Sequence, residues 1–329
     1  MKRFTLIATM LACAGAAVLG CVAGAASAQQ DYPNRPLRMI VPWPPGQATD
    51  LAGRIMAQKI SEILGQQIVV DNRPGAGGMI GTDVVAKATP DGYTLLAASS
   101  GPVSINPLLQ KAPYDAERDL APVANVCLAP FMLVTAPQFP AANAREFVAL
   151  LKASPDKYSF ASSGTGATAH LFAEWFNGLA GVQVTHIPYK GSVPALTDVI
   201  SGRVAYAVET IAAGMPHVKS GRLKTYGITL ARSSALAPGI EPLATAANVP
   251  GFDAAAWIGV MVTAGTPKAV IARLAAAAET AMQSPEVREK LFIVGVEADF
   301  RRPDEFTRYL KGQRARYSDI ITTRNIKIE

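Results

Sequence analysis

Three segments carry the residues best suited to chemistry, and the chemistry they suit is anion capture. They are residues 42–50 (PWPPGQATD), 98–101 (ASSG) and 162–168 (SSGTGAT). Each follows a short apolar run and leads towards a stretch with helical spacing. Glycines let a ligand approach backbone N–H groups, hydroxyls add donors, and a helix start adds a potential that favours negative charge. In open α/β sheets the ligand sits at the carboxyl ends of strands. Taken singly, each segment is an ordinary turn or cap. Their recurrence on matching strand ends points to a small carboxylate held between two lobes.

Catalytic and metal motifs fail one by one. His170, His186 and His217 have no second His or Cys at ligand spacing, and neither H-x-x-x-H nor C-x-x-C occurs. Each reads as a surface or hydrogen-bonded histidine. Ser154 and Lys157 match S-x-x-K, but Pro155 and Asp156 between them are turn formers, whereas that chemistry needs one helical turn. The glycine run at 75–81 fails the dinucleotide spacing because Ile80 stands where the third glycine belongs. There is no G-x-S-x-G and no phosphate-binding loop of the G-x-x-x-x-G-K-[ST] type. The expectation is a protein without catalytic residues, cofactor or metal.

The elements that would position these segments alternate. Residues 37–41, 68–70 and 93–97 read as strands. A helix capped by Thr49 or Asp50 runs to Leu64 with Gly65 as its stop, and a glycine-rich entry opens another through Lys87. The rhythm repeats with a helix from the Asn143-x-x-Glu146 capping box to Lys152. Strands follow at 158–162, 184–187, 204–208 and 223–228, with helices through Asn177 and to Ile200. After a reset near 250–252, a strand at 257–262 precedes helices at 267–282, 284–291 and 303–321. Residues 120–144 hold Pro122, Pro130, Pro137 and Pro140, which do not belong in one spanning helix and read as buried strands and turns. The pattern predicts two α/β units with a mostly parallel sheet. No linker divides them, so the chain is expected to cross between lobes on strands, with lobe 1 at 29–128 plus 257–329 and lobe 2 at 129–256.

Composition agrees with a folded chain. Of 329 residues, 50% are hydrophobic and 17% charged, which excludes disorder as the main state. Residues 4–28 are uncharged, follow Lys2 and Arg3, and end in Ala-Ser-Ala, the form of a secretory signal peptide cleaved after Ala28. An uncleaved anchor helix, or lipidation at Cys21 (preceded by Val-Leu-Gly), are the alternatives. Removal of 1–28 takes two basic residues and no acidic one, so the net charge of +6 becomes +4. It also leaves Cys127 as the lone cysteine, in an apolar run that suits an inert core residue. No run of five basic residues occurs, so nucleic acid is not an expected partner.

The chain resembles the Bug family, the extracytoplasmic solute-binding receptors of tripartite tricarboxylate transporters. The matching segments are Tyr32-Pro33-x-x-Pro36, VPWPPGQATD (41–50), DNRPGAGGMIG (71–81), ATPDGYTLL (88–96), PYD (113–115), YSFASSGTGATAHL (158–171), HIPYKG (186–191) with Pro194-Ala195, and AGTP (264–267). They run in order over the whole mature length. The resemblance implies a type II periplasmic-binding-protein fold, a two-lobed clamshell closing over a small organic acid. It implies a periplasmic monomer that serves a separate two-component membrane permease and performs no catalysis. The carboxylate would be held by Trp43, Pro44, Gly46, Gln47, Ala48, Thr49, Asp50, Ser99 and Ser100 of one lobe. Ser163, Gly164, Thr165, Gly166, Ala167 and Thr168 would hold it from the other, with His170, Tyr189 and Glu209 reading its remainder.

Departures from the family pattern bear on the ligand. The first loop usually reads P-G-G-x-x-D, and here Gln47 replaces the second glycine; Trp43 stands where Phe is more usual. A carboxylate at Glu209 would disfavour a second anionic group nearby. Gln47 and Glu209 thus bias the expected ligand towards one carboxylate and a polar, neutral or cationic far end. Two rival functions share the same features: a sensor that passes its closed form to a signalling receptor, and an exported hydrolase, which the missing nucleophile motifs disfavour.

Overall fold

The computed structural model describes residues 32–327 apart from Asp156. The leader at 1–28, its cleavage after Ala28 and Cys21 lie outside the described residues. No helix among the described residues is long and apolar enough to cross a membrane.

The first unit runs β1 (Leu37–Val41), α1 (Ala48–Leu64), β2 (Ile68–Asn72), α2 (Met79–Ala86) and β3 (Thr94–Ser99). A π-helical turn over Gly101–Ile105 follows β3, and then β4 (Leu120–Thr135) leaves the unit. The second unit is α3 (Ala144–Ala153), β5 (Ser159–Ser162), α4 (Thr168–Ala180), β6 (Thr185–Pro188), α5 (Ser192–Ile200), β7 (Tyr206–Thr210), α6 (Ile211–Lys219) and β8 (Lys224–Ile228). The chain returns on β9 (Ala255–Thr263) and ends with α7 (Lys268–Gln283), α8 (Pro285–Ile293), β10 (Glu297–Arg301) and α9 (Pro303–Thr323).

The strands form one sheet in the order β2-β1-β3-β9-β4-β7-β5-β6, with β8 and β10 also paired to β4. The expectation of a mostly parallel sheet needs correction. β1 pairs in parallel with β2 and β3, and β5 with β6 and β7, but every pairing of β4 and β9 is antiparallel. The parallel βαβ units are the outer parts, and the return strand forces antiparallel pairing at the centre.

Residues 120–135 make a single sixteen-residue strand, where the sequence reads as strands broken by turns. Its two prolines are tolerated in different ways. Pro122 sits at a register shift against β9, where the missing N–H breaks no regular ladder, and Pro130 is the last residue paired with β9. From Phe131 onward the same strand pairs with β7. β4 therefore begins in one unit and ends in the other.

Alternation along β4 fixes what each face buries. Phe131 and Leu133 join Phe147, Phe160, Phe172 and Tyr206, whereas Met132 and Val134 join Leu196, Val199 and Ile228. In the first unit Met39 and Val41 pack on Met56 and Ile60 of α1 and on Leu274 of α7. Burial of a side chain such as Ile60 contributes about 2 kcal/mol. Gly53 lets α1 approach the sheet closely, since a Cβ there would lie 3.2 Å from that of Ala97. Cys127 is fully buried and its thiol is pushed far up by burial, as an inert core residue requires.

Candidate functional site

The register places the candidate loops. Ser99, the last residue of β3, pairs with Ile258, which pairs with Cys127 of β4. Thr210, the last residue of β7, pairs with Phe131. β3 runs along β4 in the same direction and β7 runs against it. Their carboxyl ends thus approach from opposite sides and stop four residues apart on β4, roughly 13 Å at the rise of a strand. The loops after β1 and β3 open on this crossing from one lobe, and those after β5 and β7 from the other.

The first-lobe loop is latched by one carboxylate. Asp50 is 1% exposed. Its Oδ2 accepts the Gly46 N–H at 2.8 Å, and its Oδ1 accepts from Asn72 Nδ2 at 2.8 Å and Arg54 Nε at 3.0 Å. Burial pushes this carboxyl up, but the hydrogen bonds from Asn72, Gly46 and Arg54 outweigh it and hold it below the usual range. Asn72 also donates to the Trp43 carbonyl at 3.0 Å, and Trp43 Nε1 donates to Ser99 Oγ at 2.9 Å. Pro44, Gly46 and Gln47 stay exposed, and Gly46 takes φ 88°, a left-handed value that favours glycine.

The second-lobe loop is latched by imidazoles. His170 Nδ1 accepts the Gly166 N–H at 3.1 Å, which puts the His170 proton on Nε2. His186 Nε2 lies 2.6 Å from Ser162 Oγ, and that oxygen accepts the Gly164 N–H at 3.2 Å. The two rings stack with centroids 3.8 Å apart and planes 8° from parallel, and Phe160 stacks on both. Burial, with the His186 charge second, pushes His170 down to about 3; burial pushes His186 down to about 4. Both are neutral at ordinary pH. The loop after β6 closes the arrangement, with Tyr189 N–H on the Ser162 carbonyl at 3.0 Å and Gly191 N–H on that of Ser163 at 3.2 Å.

Both loops end in helices without a side-chain cap. Gln47 immediately precedes α1 and Ala167 immediately precedes α4, and neither residue's side chain accepts from its helix. α3 is capped by Asn143, and α6, which opens on the crossing after β7, is capped by Thr210, whose hydroxyl accepts the Ala213 N–H. The first N–H groups of a helix need an acceptor, and at α1 and α4 a ligand anion can be one.

Several sequence expectations change here. Neither Thr49 nor Asp50 caps α1: both lie inside the helix, and the Asp50 carboxylate turns back to Gly46. Ser100 is fully buried, with its Oγ accepting the Trp257 N–H at 2.8 Å, so it holds β9 in place and is not open to a ligand. Tyr189 is partly buried and its hydroxyl is spent on Asp198 at 2.7 Å. Thr165 is exposed, Ser163, Gly164, Ala167 and Thr168 are partly exposed, and Ala48 is partly exposed across the crossing. Glu209 is 1% exposed: Ser192 Oγ donates to Oε2 at 2.9 Å, and Oε1 has no partner among the described residues. Burial raises its carboxyl to about 7 against the bonds from Ser192 and Thr210. Asn72, His186 and Ser192 are not among the residues expected in the site. Asn72 ends β2, His186 lies within β6 and Ser192 starts α5, and only their polar partners distant in sequence reveal them. Two cavities, of about 690 and 340 Å³, lie away from the crossing; the larger lines the beginnings of β1 and β3, at their opposite ends.

Two α/β lobes joined by β4 and β9, with strand ends directed at each other between them, make the architecture of a type II solute-binding protein. The chain belongs to the tripartite tricarboxylate transporter receptor family, whose model matches residues 52–326. It is 36% identical over 300 residues to Protein BugT of Bordetella pertussis, covering 91% of this chain and 92% of BugT. Among solved structures it resembles the periplasmic binding protein BugD, at 30% identity with TM-score 0.77 over 91% of this chain and all of BugD. It also resembles a Rhodopseudomonas palustris protein solved with adipate (30%, TM-score 0.81, 90% of this chain and 99% of that one). MatC of the same organism, with bound malate, matches at 30% with TM-score 0.77 over 88% of this chain and all of MatC. The family is one of transporter receptors and BugD is a periplasmic binding protein, so the chain is by family a receptor and not an enzyme.

Proposed function

We propose that this chain is exported, loses residues 1–28, and works as a periplasmic monomer. It captures a small carboxylate between lobe 1 (29–128 and 257–329) and lobe 2 (129–256) and presents it to a two-component membrane permease of separate chains. The observation that carries the reading is the pair of uncapped helix starts, at Gln47 and Ala167, on opposite sides of the crossing. Oriented N–H groups there supply affinity for one carboxylate, and closure of the lobes over it forms the surface that the permease reads. The adipate and malate held by similar proteins support the ligand class.

Gln47 and Glu209 set the far end. Above pH 7 Glu209 is ionised and repels a second anion; below it, the protonated acid can donate to one. Affinity for a dicarboxylate is therefore expected to fall from pH 6 to pH 8, while a monocarboxylate with a polar far end keeps its own. A thermal-shift screen over mono-, di- and tricarboxylates, amino acids and aromatic acids tests the whole. Saturation at 100 times Kd adds about 2.7 kcal/mol, so the cognate acid raises Tm clearly. Ser163→Ala or Thr165→Ala is expected to weaken it about tenfold through loss of a donor. An unchanged Tm across the panel would refute the receptor reading. A plain tricarboxylate that binds more tightly than every monocarboxylate would refute the far-end reading alone.

A further inference from the structure

The cavity of about 340 Å³ lies on the first lobe, under α9 and against the π-helical turn. Its floor is buried and mostly apolar, made by Val103 of that turn, Leu120 of β4 and Met261 of β9, with Ser104 the one buried polar side chain beside them. Its rim is cationic. Arg314 and Lys311 of α9 stand over it beside Glu117. The Arg314–Glu117 pair is long, at 3.5 Å, and Lys311 has no ion pair among the described residues. Two cations thus face one carboxylate around an apolar pit, at the small end of the size range of ligand pockets.

We infer that this cavity is a second ligand site, separate from the cleft, for a small amphipathic monoanion: a compact apolar body, such as one aromatic ring, carrying a single carboxylate. The ring replaces water on Val103, Leu120 and Met261, and the carboxylate takes the free Lys311 ammonium and the loosely held Arg314. A dicarboxylate does not fit, because its second charge would lie unpaired on the apolar floor. The position gives the site a consequence. The π-helical turn follows Ser99 and Ser100 directly, and its Pro102 carbonyl is pinned by the Tyr114 hydroxyl at 2.6 Å. An occupant therefore bears on the segment whose other end enters the cleft.

Benzoate, with benzyl alcohol as its uncharged counterpart, tests the inference by isothermal titration of the full mature chain. Benzoate is expected to bind at least tenfold more tightly than benzyl alcohol. Lys311→Glu, on an exposed position, and Leu310→Trp, which fills the pit, are each expected to weaken benzoate at least tenfold, whereas Thr165→Ala leaves it unchanged. Lys311→Glu keeps the test alive should Leu310→Trp fail to fold. Loss of benzoate in Thr165→Ala but not in Lys311→Glu would place it in the cleft and overturn the proposal. Equal binding of benzyl alcohol, or no benzoate binding at millimolar concentration, would also overturn it.

Discussion

The two loops that face each other across β4 do the same job with opposite chemistry. The loop after β1 is held by Asp50, an ionised carboxylate with three partners, Gly46, Asn72 and Arg54. The loop after β5 is held by His170 and His186, two neutral rings stacked at 3.8 Å. One latch needs its charge and the other needs to lack one, so the two lobes respond differently to acid. The Asp50 carboxyl is lowered from 3.8 in the fold. Its contribution is present above that value and is lost only as pH falls through the lowered one. The imidazoles are lowered from 6.5 to about 3 and 4. Between those values and 6.5 the unfolded chain binds more protons than the fold, so stability falls as pH drops from 6.5 towards 4.

The comparison can be broken at its strongest point first. Asp50→Ala leaves the Gly46 N–H, Asn72 and Arg54 without their shared acceptor and is expected to cost on the order of 3 kcal/mol. Urea unfolding measures it, and a loss below about 1 kcal/mol would mean that Asp50 does not organise the loop. Next, the wild-type Tm is expected to fall between pH 7 and pH 4.5 by on the order of 5 °C. Replacing both rings (His170→Gln with His186→Gln) should remove most of that slope, and equal slopes in the two proteins would show that the rings are not its source. The smallest effect belongs to Trp43→Phe. It keeps the ring packing but loses the bond to Ser99, for about 1 kcal/mol; a loss as large as that of Asp50→Ala would move the centre of the first latch to Trp43.

How much of this was legible in the sequence depended on whether the signal was local. β1 spans the expected residues 37–41, and α1 stops at Gly65 in a left-handed conformation, as expected, because one backbone position decides it. β4 was obscured by its prolines, since tolerance of Pro122 depends on a register shift in a partner strand more than 130 residues away. α6 has no local signal: Pro216 and Gly214 argue against a helix, and packing of Ile211 and Met215 overrides them. The site divides in the same way. The loops were visible as glycine-rich helix starts, but the stacking of His170 on His186 brings together residues sixteen positions apart and has no periodic trace. Ser100 was misread because a buried and an exposed serine look alike until β9 is placed beside it.

The last helix sets a limit on how the receptor can move. Arg302, at the start of α9, pairs with Glu279 of α7 at 2.6 Å, and Arg324, just past its end, pairs with Glu174 of α4 at 3.1 Å. Its twenty-one residues make a strut about 32 Å long, fastened to one lobe at one end and to the other lobe at the other. A rod of fixed length does not stretch, so the lobes cannot simply draw apart. Rotation of the lobes then has to keep the rod's two attachment points at constant separation, which makes opening a swing of fixed radius.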